Sequence, residues 1–229
     1  MQSTNDDATQ CKLSAVKLGY WQDRFIAEVT RQQGRERRAP EIHLGYYARV
    51  AGVRALIDKF LEACDTAVQI ISLGAGFDTL FWRLLEEGRP VQNFIEVDFA
   101  GVTARKCLLI KKSKELMGPV AGEEGDIRLS KTDLHGSRYR NPQLTSSPGL
   151  TLSPHSRYHL VAADLTDLAN LERKLTESEV SFSCPTLILA ECVLVYVDQN
   201  KSSKLMTWLA NKFSSCAFIN YEQLNMNDK

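Results

Sequence analysis

A doubly wound α/β domain, a parallel sheet with helices on both faces, is the fold class this sequence predicts. Three observations carry the prediction. From Val68 onward, short runs of branched apolar residues alternate with stretches of helical periodicity. One of those runs, "PTLILAECVLVYV" (185–197), begins wholly apolar, as a strand buried on both faces of a parallel sheet should. The first run leads directly into "LGAGFDTLFWRL", a Gly-X-Gly turn that opens a helical pattern.

Taken in order, the opening "MQSTNDDATQ" is polar and reads as an unstructured start. The segments "LSAVKLGYWQDRFIAEVTRQQ" and "IHLGYYARVAGVRALIDKFLEAC" repeat apolar residues at three- and four-residue spacings. Helix is therefore expected over most of 14–63, divided at Pro40. "VQIISLG" is the first strand, and "TLFWRLLEEG" its helix, with Asp78 or Thr79 at the front and Gly88 at the end. "NFIEVD" (93–98) and "VTARKCLLIKKSKEL" form the next strand and helix. "YHLVAADL" (158–165) is a third strand, followed by the helix "LANLERKLTES". The apolar run from Pro185 is the fourth strand, "KLMTWLANKF" the fourth helix, and "CAFINYEQLN" the fifth strand. Between Met117 and Arg157 lies a Gly-, Ser- and Pro-rich stretch, too long for an ordinary connection and expected to be a loop. Residues 1–63 thus form a helical segment, and 64–229 the sheet domain.

Composition excludes several classes. Lys plus Arg and Asp plus Glu both number 28, so no basic surplus points to nucleic acid or an anionic membrane. No apolar run is long enough to span a bilayer, and the start lacks a signal-peptide core. The six cysteines contain no C-x-x-C pair, which argues against zinc and against a disulfide framework. A soluble, cytoplasmic monomer with reduced thiols is expected. The four histidines show no ligand spacing and receive no role.

The chemistry gathers at the strand ends. Gly74 and Gly76 let a ligand approach the backbone, but the third position of the dinucleotide fingerprint is Thr79. Asp98 closes the second strand, where an acid accepts ribose hydroxyls; its alternative role is a helix cap. Asp164 and Leu165 end the third, where an acid and the next N–H reach an adenine edge, or where the acid caps the helix that follows. Glu191 ends the greasy fourth strand and needs a partner, either a ligand, which we favour, or a buried arginine. Acids at several neighbouring strand ends suit a cationic sulfonium and repel a pyrophosphate, which leans the turn toward S-adenosyl-L-methionine. The rival is a nicotinamide-dependent dehydrogenase.

At these residues the sequence resembles the leucine carboxyl methyltransferase family. "LGAGFDTLFWRL", "EVDF", "ADLTDL", "AECVLVYV" and "FINYEQLNM" carry the likeness in that order, with "GYWQDRF" and "RRAPEIHLGYYARV" nearer the front. The resemblance implies a Rossmann-like class I methyltransferase fold with an N-terminal helical extension. It implies methyl transfer from S-adenosyl-L-methionine to the C-terminal leucine of the catalytic subunit of type 2A protein phosphatase. Cofactor contacts carry over to Lys12, Arg49, Gly74, Asp98, Asp164, Leu165 and Glu191. Arg49 and Tyr196 become the candidates for the substrate carboxylate, since an arginine fork clamps such a group. No catalytic base is required, because a C-terminal carboxylate, with a pKa of about 3.3–3.7, is already ionised at neutral pH. The resemblance also implies a carboxyl methyltransferase of the wybutosine pathway of transfer RNA as a second reading, and a cofactor-binding variant that only holds the phosphatase as a third. The family chain runs well past "NYEQLNM", so a sheet lacking its last strands, and weak cofactor binding, are expected.

Overall fold

The computed structural model describes residues 2–30, 38–89, 91–121, 127–140 and 155–223. Its centre is β1 (Gln69–Leu73), flanked by β2 (Asn93–Asp98) on one side and β7 (Thr186–Glu191) on the other. β6 (His155–Ala162) pairs with β2, and β8 (Cys216–Tyr221) with β7; all four pairings are parallel. The chain therefore winds outward from β1 twice, in opposite directions, and the reversal falls between β1 and β7. That switch point opens a crevice at the carboxyl ends of the strands. Register keeps the ends level: Leu73 lies beside both Val97 and Ala190, and Val97 beside Val161.

The alternation of side chains builds two cores. Ile70, Phe94, Leu160 and Leu187 face α3 (Pro40–Glu62), α4 (Leu80–Glu86) and α5 (Ala100–Lys112). Ile71, Ile95, Val161 and Ile188 face the opposite way, toward α7 (Leu168–Glu177) and α8 (Gln199–Lys212). All eight of these strand residues are at most 1% exposed, and burial of each contributes about 1.5–3 kcal/mol. This double burial explains why the strands read as apolar runs.

Several expectations need correction. The chain's start is helical: α1 spans Gln2–Lys17, while 18–25 form turns before the single-turn α2 (Ile26–Val29). The first turns of α1 are polar and are held by ion pairs, including Asp6 to Arg105 at 2.6 Å, while Cys11 and Ala15 farther along are buried. The second helix breaks at Ser113 into α5 and α6 (Lys114–Ala121). The expected loop of 117–157 is partly sheet. Short strands β3 (Arg128–Leu129), β4 (Leu134–His135) and β5 (Tyr139–Arg140) extend it antiparallel beyond β6, giving eight strands among the described residues. The "TSSPGLTLSP" portion lies outside the described residues. The fourth run stops being strand at Glu191 and becomes a 3-10 turn over Leu194–Tyr196. Among the described residues no helix is long and apolar enough to cross a membrane.

One partly buried histidine pair makes the fold acid-sensitive. His135 and His159 face each other Nδ1 to Nδ1 at 2.9 Å, and the His159 Nε2 atom is buried without a partner among the described residues. Burial, with His135 and Arg157 adding to it, pushes the His159 pKa down to about 3. The unfolded chain, with histidine near its ordinary value of about 6.5, therefore binds the proton first, so stability is lost as pH falls below that value. At pH 5 the cost is on the order of 2 kcal/mol. Urea titrations at pH 7 and pH 5 should show His159→Gln losing about that much less than the parent. Equal losses in both proteins would remove the assignment.

Candidate cofactor and acceptor site

One cavity of about 680 Å³ lies across the carboxyl ends of β1, β2, β6 and β7, and α1 forms one of its walls. Its volume is in the range of small-molecule sites, about 300–1,000 Å³. Lys12, Arg49, Gly74, Asp98, Asp164, Leu165, Glu191 and Tyr196 all line it. Residues separated by as much as most of the chain thus meet at a single hollow.

The turn after β1 is built from left-handed glycines, Gly74 with φ +63° and Gly76 with φ +55°, a region that side-chain-bearing residues avoid. Gly74 N–H donates to Val97 O at 2.8 Å, and Gly76 N–H donates to Asp98 Oδ2 at 2.7 Å. A Cβ on Gly74 would lie 2.6 Å from Val193 Cγ2. Val193 therefore fills the space beside Gly74, and only a residue without a side chain fits there. Thr79 replaces the third fingerprint glycine because this position packs toward the N-terminal segment: its hydroxyl donates to Asp23 Oδ2 at 2.6 Å.

Asp98 is 7% exposed and also accepts from Phe99 N–H at 2.7 Å. Burial pushes its carboxyl above the ordinary range, against those two backbone bonds. Two N–H bonds occupy half of a carboxylate's roughly four acceptor positions, which leaves capacity for hydroxyl donors from the cavity. Asp164 is exposed; its Oδ1 accepts from Thr166 N–H at 2.8 Å, while Asp167, not Asp164, caps α7. Leu165 is buried beside it.

Glu191 has the buried arginine weighed above as its partner, and it lines the cavity as well. Arg49 Nε donates to Glu191 Oε2 at 2.6 Å, Nη2 donates to the Glu191 carbonyl at 3.2 Å, and Nη1 donates to Cys192 Sγ at 3.4 Å. The pairing ties α3 to the end of β7. Burial opposes the charge on Arg49, but Glu191 outweighs it and raises the pKa above its ordinary value. Three of the guanidinium's five N–H donors are engaged, and two remain. Lys12 also has an acidic neighbour, with its Nζ 3.7 Å from Asp78 Oδ2. Tyr196 is 59% exposed at the rim, so it is not a core tyrosine.

Sequence reasoning passed over Asp78 as anything beyond a cap. It stands one residue before the α4 N-cap, Thr79, and accepts from Thr79 and Leu80 N–H at 2.6 and 3.2 Å. It also lines the cavity, and although burial raises its pKa, Lys12, Arg83 and Lys106 hold it well below the usual range. Behind the turn, Lys106 and Glu96 form a fully buried ion pair; Lys106 Nζ donates to the Asp78 carbonyl at 2.6 Å, and Tyr158 OH donates to Glu96 at 2.7 Å. Burial pushes Glu96 up to about 7 despite Lys106 and Tyr158. Nothing in "NFIEVD" distinguishes Glu96 from an ordinary strand acid. Across the cavity, six carboxylates (Asp7, Asp78, Asp98, Asp164, Glu191, Asp198) stand against three cations (Lys12, Arg49, Lys201). Among the described residues no three His, Cys, Asp or Glu side chains are grouped to hold a metal ion.

A glycine turn after the central strand, an acid ending the next strand, and a carboxylate-rich crevice at the switch point define a Rossmann-like methyltransferase fold. Comparison with known sequences narrows this. The profile of the leucine carboxyl methyltransferase family matches residues 3–210. Leucine carboxyl methyltransferase 1 of Rattus norvegicus is 40% identical over the whole chain, and that of Caenorhabditis elegans 37%. The chain spans 64% and 65% of their lengths. The tRNA wybutosine-synthesizing protein 4 of Homo sapiens is 34% identical over the whole chain, which covers 31% of that protein. The chain belongs to the leucine carboxyl methyltransferase family.

Proposed function

We propose that this protein binds S-adenosyl-L-methionine and transfers its methyl group to the C-terminal leucine carboxylate of the protein phosphatase 2A catalytic subunit. The observation that carries the reading is the convergence of eight candidate residues on one cavity with twice as many carboxylates as cations. The fit to the cofactor is tested by the donor set. Asp98, buried with acceptor capacity to spare, suits the ribose hydroxyls; Asp164 and the Leu165 N–H suit the adenine edge. Gly74 and Gly76 line the cavity without side chains of their own, which suits a close approach. The acidic excess favours a sulfonium and opposes the pyrophosphate of a nicotinamide cofactor.

When bound, the cofactor supplies an electrophilic methyl group. The chain's task is then to hold an acceptor already in its nucleophilic form. The two free N–H donors of Arg49 and the hydroxyl of Tyr196 are the groups for the acceptor carboxylate. Lys12 and Arg49 serve the amino-acid carboxylate of the cofactor. Glu191 keeps Arg49 charged and aimed, and α1 shields the cavity from water.

S-adenosylhomocysteine at a hundredfold excess over its Kd should stabilise the protein by about 2.7 kcal/mol, read as a rise in Tm, while NADH should leave Tm unchanged. With labelled cofactor, a peptide ending in leucine should gain label and the same peptide amidated at its C-terminus should not. Stabilisation by NADH alone, or equal labelling of the amide, would overturn the reading. Labelling of a carboxylate-bearing transfer RNA in place of the peptide would transfer the assignment to the wybutosine branch.

A further inference from the structure

The loop after β7 has an unusual construction. Cys192 sits at φ +54°, a left-handed conformation for a residue with a side chain, and its N–H donates to Tyr221 O at 2.7 Å. The next three amides all converge on one atom. Val193, Leu194 and Val195 N–H donate to Glu222 Oε1 at 3.2, 2.9 and 3.4 Å. These amides begin the 3-10 turn of Leu194–Tyr196 and have no donor role within it. Glu222 follows β8 directly, so its carboxylate fastens the loop of one strand to the end of the neighbouring one. Its second oxygen, Oε2, is buried without a partner among the described residues. A half-satisfied buried carboxylate is a cost that local packing does not repay.

The fastened loop has two working ends. Val193 packs over Gly74, and Tyr196 stands at the cavity rim with 59% of its surface exposed. We propose that Glu222 is a positioning residue that sets the 193–196 loop and, through Tyr196, selects the acceptor carboxylate. The proposal rests on the methyl-transfer reading for its substrate and on geometry alone for the clamp. The cofactor half depends less on it, because the glycine turn has its own anchors in the Val97 carbonyl and Asp98.

Glu222→Ala and Glu222→Gln in the full chain provide the test. Hydrogen exchange needs no substrate: the amides of 193–195 should exchange at least tenfold faster in E222A and to an intermediate degree in E222Q, which keeps an acceptor oxygen. Amides within β7 should be unchanged, which reports that the sheet is intact. With a leucine-ended peptide, E222A should raise KM tenfold or more with kcat changed less than threefold, and E222Q should recover part of the loss. Kd for S-adenosylhomocysteine should move less than threefold. Unchanged exchange at 193–195 would overturn the clamp. Faster exchange with an unchanged peptide KM would overturn the selection. Failure of S-adenosylhomocysteine to bind the parent protein would sink the methyl-transfer reading while leaving the exchange result to decide the clamp.

Discussion

Replacing Arg49 by methionine is expected to remove about 3–5 kcal/mol of folding stability and to abolish stabilisation by S-adenosylhomocysteine. The side chains of Arg49 and Glu191 are 13% and 15% exposed, so water replaces the missing cation only in part. The carboxylate would then face a cavity already rich in acids, including Asp78, Asp164 and Asp198. Losing one member of a largely buried ion pair costs more than losing both, because the survivor's desolvation is no longer offset. R49M/E191M should therefore recover most of the stability and still fail to respond to S-adenosylhomocysteine. The pair of results separates Arg49's part in holding the fold from its part in the site. Urea midpoints at constant m measure the first and thermal shift the second. An R49M variant within 1 kcal/mol of the parent would show that the pair is solvated after all.

Arg49 also marks where the sequence stopped being informative. The strand ends were legible: "NFIEVD" spans 93–98 as read, and the glycine turn, Asp98 and Glu191 fall at level positions on neighbouring strands because parallel pairing keeps register. These features are local, since an apolar run and a glycine pair announce themselves. What satisfied Glu191 was not local, for its partner lies 142 residues away. The same holds for the front of α1, whose polar sequence over 2–10 carries no apolar face. Its helicity is imposed by partners such as Arg105 and Arg38, each reached only after folding. Lys106 and Glu96 were hidden for the opposite reason. Charged residues in a strand and a helix normally face water, and only folding encloses these two with Tyr158 beneath the turn. Short strands β3–β5 escaped notice because two-residue segments have no periodicity to detect.

Gly74→Ala carries the second large effect, and the reason is double. At φ +63° a Cβ costs about 1–2 kcal/mol in backbone conformation alone. The same Cβ would lie 2.6 Å from Cγ2 and 3.1 Å from Cγ1 of Val193. A branched side chain has a stiff χ1 and cannot swing clear of both contacts, and Val193 is further fixed through its amide on Glu222. Overpacking of this kind adds about 1–3 kcal/mol, so G74A should lose about 2–5 kcal/mol overall. The turn would relieve the collision by shifting, and the Gly76 N–H bond to Asp98 would shift with it. Response to S-adenosylhomocysteine should therefore disappear even where the protein remains folded. The two causes separate in a double-mutant cycle. Val193→Ala removes the collision but leaves the left-handed backbone untouched. G74A/V193A should accordingly be more stable than the two single changes summed, by about 1–3 kcal/mol, yet still fall short of V193A alone. Strict additivity would mean that Val193 does not close over the turn, and that the backbone conformation of Gly74 explains the whole loss.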